Sequence, residues 1–175
     1  MPREKKGLVM IYTGNGKGKT TAALGQAFRA AGHGYRILII NFMKGWDFGE
    51  AKAAAYLPNM EVVKAGRETF VDKDNPDEKD LRLAAAGLAR AREAACSGDY
   101  DLIVLDEINV AVHYNLIPLQ EVLELIENRL PEVDLILTGR YVPAEFLEIA
   151  DLVSEIKEIK HHYQDGAVAR KGIEY

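Results

Sequence analysis

The stretch YTGNGKGKTTAALG, from Tyr12 to Gly25, sets four glycines and two lysines between an apolar run and a helical pattern. Glycines let the chain curl so that successive backbone N–H groups converge, and a helix N-terminus adds the positive end of its dipole. From such a bend Lys19 reaches terminal phosphate oxygens, and the Thr20 hydroxyl is a ligand of the kind Mg²⁺ takes. Gly14, Gly16, Lys17, Gly18, Lys19 and Thr20 therefore have the makings of a polyphosphate cradle rather than of a bare strand-to-helix turn. One position departs from the usual spacing. A phosphate loop ordinarily carries a glycine five residues before its Gly-Lys pair; here that position is Thr13, and the first glycine comes one residue late at Gly14.

Acids follow elsewhere. In YDLIVLDEINV an apolar run ends in Asp106 and Glu107, either of which could bind Mg²⁺ directly or through water beside the phosphates. Alternation alone does not choose between them. Arg140, in LTGRY, could clamp a phosphate or simply lie exposed at the end of a strand. His33, His113, His161 and His162 have no metal-ligand spacing with Cys96, and no Ser/His/Asp constellation stands out. A residue that positions a hydroxyl or water nucleophile is also not evident, which suits an acceptor that is already a powerful nucleophile.

The elements that would position these groups alternate. Strands are predicted at Leu8–Thr13, Arg36–Met43, Met60–Lys64, Asp101–Glu107, Asp134–Gly139 and Leu152–Ile159. Helices are predicted at Thr20–Ala31, Glu50–Tyr56, Asp77–Ser97, Pro118–Arg129 and Pro143–Ala150. The middle strands are apolar on both faces, as parallel strands covered by helices on each side require. The pattern predicts a doubly wound, mostly parallel α/β domain with ligands at the carboxyl ends of the strands. Gly66–Asp80 and Lys160–Tyr175 read as irregular polar segments on the surface.

The chain of 175 residues is long enough for one domain burying about two thirds of its unfolded surface, expected over residues 1–175 with an irregular tail over 160–175. A single cysteine excludes an internal disulfide, and MPREKKGLVM lacks the apolar core of a signal peptide, so a reducing cytoplasm is the expected setting. No apolar run is long enough to span a bilayer. A formal net charge of -5 gives no global attraction for nucleic acid, so an anion must be gripped locally.

With these motifs in order, the sequence resembles the corrinoid adenosyltransferases that act on cob(I)yrinic acid a,c-diamide and cob(I)alamin. The resemblance runs over nearly the whole chain and rests on YTGNGKGKTTAALG, NFMKG (Asn41–Gly45), LIVLDEINVAVHYNLIPLQEV (Leu102–Val122), LTGR and ADLVSEIKEIKHHYQDGAVARKGIEY (Ala150–Tyr175). The loop that begins at Gly14 belongs to that family's pattern. The resemblance implies a P-loop NTPase-like, RecA-like fold and transfer of the 5′-deoxyadenosyl group of ATP to Co(I), with release of triphosphate. It implies that Asn15, Gly16, Lys17, Gly18, Lys19, Thr20 and Thr21 hold the triphosphate of a nucleotide lying reversed in its loop, with Mg²⁺ on Thr20 and Glu107. It further implies a corrinoid over the connection after Gly66, an aromatic wedge against the lower axial ligand, an electron donor such as a reduced flavoprotein, and a homodimer. An N-terminal segment or tail crossing to the partner would complete its site. Phe70 is the aromatic available for the wedge in AGRETFVDKD, since the one tryptophan is Trp46. The motifs of the loop and strand end alone would also suit a small-molecule kinase or ATPase, or a nucleotide-dependent switch.

Overall fold

A computed structural model describes residues 6–43, 45, 48–162, 166 and 168–173. Lys44 of NFMKG, Trp46, the first five residues and part of the tail motif lie outside the described residues. The chain order is β1 (Val9–Thr13), α1 (Lys19–Gly32), β2 (Ile37–Phe42), α2 (Gly49–Ala54), β3 (Met60–Ala65), α3 (Glu78–Ser97), β4 (Leu102–Asp106), α4 (Ile108–His113), α5 (Leu119–Asn128), β5 (Asp134–Thr138), α6 (Ala144–Ile149) and β6 (Leu152–Glu155). The six strands form one sheet in the order β3-β2-β4-β5-β1-β6, and every pairing is parallel.

Alternation along the strands divides the core into two layers. Met10, Ile37, Ile39, Leu102, Val104 and Ile136 face α1, whose Ala23, Ala27 and Ala30 are small enough to bring the helix close to the sheet. Val9, Ile11, Leu38, Ile40, Ile103, Leu105, Leu135 and Leu137 face the other way, against α3, α5 and Phe146 of α6. Leu38 to Ile40 and Ile103 to Leu105 are completely buried. Covering of this kind is why these strands read as unbroken apolar runs.

Two expectations are corrected. The last strand stops at Glu155 rather than Ile159, and its four residues are exposed on the sheet edge. The short α4 falls in a stretch, between the predicted strand ending at Glu107 and the predicted helix from Pro118, for which no element was expected. What ends β4 is the backbone of Glu107, which turns left-handed at φ 62° and caps α4. Pro118 and Pro143 sit in extended conformation one residue outside their helices, as the residues before the first turn.

Candidate active site

The same alternation carries into the strand ends. Asp106 follows Leu102 and Val104 on the α1 side of the sheet, and Thr138 follows Ile136. Asp106 is 1% exposed, and its Oδ1 accepts from the Thr20 hydroxyl at 2.8 Å and from the Thr138 hydroxyl at 2.7 Å. The Thr138 oxygen in turn accepts from the backbone N–H of Glu107 at 2.9 Å. A hydroxyl that gives its proton to a carboxylate keeps its lone pairs for another partner. Thr20 is thus oriented as an acceptor at the first turn of α1, while the left-handed turn at Glu107 brings that side chain to the cleft wall.

The cleft holds about 450 Å³ at the carboxyl ends of the strands. It is lined by the loop from Asn15 to Thr21, by Glu107 and Arg140, and by Leu24, Phe48, His161 and Ile173. Asn15, Gly16, Lys17, Gly18, Lys19, Thr20, Thr21, Glu107 and Arg140 are therefore brought together around one cleft. Gly14 and Phe70 are not among the lining residues.

The glycines of the loop divide into two kinds. Gly18 adopts φ +123° with open space around it, so backbone conformation is what selects glycine there. Contact matters at the other two: at Gly14, whose φ is +101°, a Cβ would come within 2.4 Å of the Ile156 carbonyl oxygen, and at Gly16 within 2.7 Å of the Lys157 carbonyl carbon. The chain leaving β6 presses on the loop from outside. The Gly16 N–H donates to the Ile156 carbonyl at 2.8 Å, so this amide binds the chain leaving β6. Lys19 is 8% exposed, with Nζ donating to the Gly16 carbonyl at 2.8 Å; its ammonium is already folded over the loop. Lys17 reaches across to the Ile173 carbonyl at 3.1 Å, which brings the C-terminal segment to the cleft rim.

Thr13 explains the departure from the usual spacing. It lies at the end of β1 on the face opposite α1, and its hydroxyl donates to the Gly139 carbonyl at 2.9 Å. Arg140, the next residue, donates from Nη2 to the Asn15 carbonyl at 3.3 Å.

The connection after β3 is anchored rather than loose. Arg67 forms a two-pronged pair with the buried Asp80, both contacts at 2.6 Å, and a third contact with Asp77 at 3.2 Å. Hydrogen bonding to Asp80 is the first cause that raises the Arg67 pKa above its ordinary value. Gly45 packs so tightly on this segment that a Cβ would meet the Arg67 carbonyl carbon at 2.3 Å. Phe70, in the same connection, is 95% exposed. Among the described residues no cluster of three or more His, Cys, Asp or Glu forms a metal cage. No described helix is long and apolar enough to cross a membrane.

Asp106, a candidate metal ligand in the sequence, instead holds the Thr20 and Thr138 hydroxyls, while Thr13, Asn109 and Thr138, which bond at the strand ends, had been given no role. Their common signal is a small polar residue at or just after the carboxyl end of a buried strand, where a side chain has either a ligand or a neighbouring strand end to bond.

A parallel sheet with a glycine-rich loop between β1 and α1, an acid at the end of β4 and helices on both faces defines a nucleotide-binding protein of the phosphate-loop class. The family described as ATP:corrinoid adenosyltransferase BtuR/CobO/CobP matches residues 5–175. The corrinoid adenosyltransferase of Escherichia coli strain K12 is 34% identical over 99% of this chain and 88% of its own length. That of Salmonella typhimurium, CobA, is 35% identical with the same coverage, and that of Pseudomonas aeruginosa is 32% identical over 99% of this chain and 86% of its own. Among solved structures, the KaiC-like protein PH0186 of Pyrococcus horikoshii aligns over 89% of this chain and 75% of its own, at 20% identity and a TM-score of 0.49. The chain belongs to the ATP:corrinoid adenosyltransferase family, and is a transferase.

Proposed function

We propose that the chain transfers the 5′-deoxyadenosyl group of ATP to the Co(I) of a reduced corrinoid. The C5′–O bond breaks with its electron pair leaving on triphosphate, the Co–C bond forms, and cobalt goes formally from Co(I) to Co(III). Co(I) attacks without surrendering a proton, so no general base is required of the protein. Its task is to stabilise the charge that builds on the leaving group. The observation that carries this reading is the concentration of polyphosphate-binding groups from Asn15 to Thr21, with Arg140, in one cleft.

In this reading Lys19 turns from the Gly16 carbonyl to the triphosphate, Lys17 and Arg140 flank it, and Asn15, Gly18 and Thr21 supply polar loop contacts. Mg²⁺ fits the donor set, which consists of hard oxygens: Thr20, oriented by Asp106, and Glu107 on the cleft wall. When bound, it supplies neutralisation of triphosphate charge. Gly14 acts through the loop's packing on Ile156. The corrinoid would lie over the segment after Gly66, where the anchored Arg67 holds the chain and Phe70 offers an exposed ring to displace the lower axial ligand. A cytoplasmic homodimer supplied with electrons by a reduced flavoprotein completes the proposal.

Anaerobic incubation with ATP, Mg²⁺ and chemically reduced corrinoid should give a light-sensitive alkylcobalt spectrum and inorganic triphosphate in the ³¹P spectrum. ADP as the main phosphorus product would instead make the chain a kinase or ATPase.

A further inference from the structure

We propose that Thr13 and Asn109 are positioning residues for Arg140, acting together through the Gly139 carbonyl; the proposal rests on the reading of Arg140 as a triphosphate clamp. The backbone around Arg140 is not one that holds itself. Gly139 before it has φ +131° and Tyr141 after it has φ +58°, both in the left-handed half of conformational space that a tyrosine seldom occupies. A turn of that kind keeps one shape only when its surroundings impose it.

Three contacts impose it here. The Gly139 carbonyl accepts from the Thr13 hydroxyl at 2.9 Å and from Asn109 Nδ2 at 3.1 Å, both within the buried interior. On the far side of Arg140, the Tyr141 ring stacks on His113 at 4.3 Å between centroids and 24° between planes. Asn109 and His113 are four residues apart, so one face of α4 holds both ends of the turn. Space is equally restricted, since a Cβ on Gly139 would sit 3.0 Å from that of Asn109 and 3.3 Å from a carboxylate oxygen of Glu107. Between these ties the Arg140 guanidinium is delivered to the Asn15 carbonyl at the edge of the phosphate cradle. Replacing the loop's customary first glycine by threonine thus gives the loop a side chain that reaches the strand end carrying its arginine.

The test is the inhibition constant of inorganic triphosphate, measured with kcat and KM for ATP on the full chain, for Thr13→Val, Thr13→Ser and Asn109→Ala in the parent and in Arg140→Ala. Thr13→Val and Asn109→Ala should each weaken triphosphate inhibition about tenfold, Thr13→Ser should restore it, and neither loss should exceed about twofold once Arg140 is gone. Thermal melts accompany each variant; should Thr13→Val melt below the assay temperature, Asn109→Ala, which leaves the Thr13 bond in place, makes the same comparison. Equal losses with and without Arg140, or parental inhibition in both Thr13→Val and Asn109→Ala, would overturn the proposal. Parental inhibition in Arg140→Ala alone would instead remove the clamp on which it rests.

Discussion

The hydroxyl of Thr20 and the carboxylate of Asp106, 86 residues apart in sequence, are joined by a 2.8 Å hydrogen bond beneath the cleft. The same oxygen takes a second hydroxyl from Thr138. Removing the carboxylate with Asp106→Ala takes the acceptor from the fully buried Thr138 hydroxyl and from the half-buried Thr20 hydroxyl at the cleft, at a cost of about 1–3 kcal/mol. The expected outcome is a melting temperature several degrees lower and an Mg²⁺ requirement raised by about tenfold or more. Glu107→Ala should raise the Mg²⁺ requirement or abolish activity while leaving the melt near the parent's, because its side chain lines the cleft. Metal titrations paired with calorimetry separate the two acids, and an unchanged requirement in Glu107→Ala would remove it from the metal.

Lys19 is the loop residue whose head group has two destinations, the Gly16 carbonyl it now meets at 2.8 Å and the triphosphate of the proposed reaction. Lys19→Ala should lower kcat by about 10²–10³-fold, the usual loss when one preorganised donor to a developing charge is taken away. Inhibition by triphosphate should weaken in parallel. Single-turnover rates under reduced corrinoid make the measurement, and a loss confined to KM would assign Lys19 to substrate capture rather than to the leaving group.

Much of this site was legible in the sequence because the signals are local. Gly18, Lys19 and Thr20 carry a conformational demand, a charge and a ligand within three residues, and unbroken apolar runs announce strands covered on both faces. The choice between Asp106 and Glu107 was not legible, because it depends on which face of β4 meets α1, and that is a property of the assembled sheet. Thr13 read only as a departure from a pattern; its partner at Gly139 is 126 residues away. The short α4 was hidden in an apolar run whose break is a single left-handed backbone at Glu107. Gly14 and Gly16 were legible as glycines, but the reason they must be glycines lies partly in the exit of β6.

That reason separates glycines by substitution. Gly16→Ala would drive a methyl into the Lys157 and Ile156 backbones, which have no flexible side chain to move aside. The expected result is a lower melting temperature together with weakened ATP binding. Gly25, in the middle of α1, has nothing within 4 Å of its added Cβ. Gly25→Ala should therefore raise stability by about 0.5–1 kcal/mol, since alanine loses less backbone entropy in a helix. Denaturant midpoints on the two variants read out the contrast, and a stabilised Gly16→Ala would contradict the packing of β6 on the loop.

A last expectation concerns pH and the anchored segment before α3. Asp77 caps that helix, its Oδ1 accepting from the Lys79 N–H at 2.8 Å while its other oxygen meets Arg67 at 3.2 Å. The backbone hydrogen bond from Lys79 is the main cause that holds its pKa below the ordinary aspartate value; burial opposes it, and the charge and hydrogen bond of Arg67 add smaller lowering effects. The folded state thus prefers the ionised form. The contribution of Asp77 is fully present above the unfolded pKa of about 3.9 and is lost as the pH falls through the lower folded value. Melting temperatures of the parent and Asp77→Ala should differ by a constant gap from pH 7 to about pH 5, and the gap should close on further acidification. Asp77→Asn, which can still cap but carries no charge, should show a smaller deficit at pH 7 that falls by the same amount on acidification, since only the parent titrates at this position. A gap between the parent and Asp77→Ala that stays open below both pKa values would mean that Asp77 stabilises the helix through packing rather than through its ionised carboxylate.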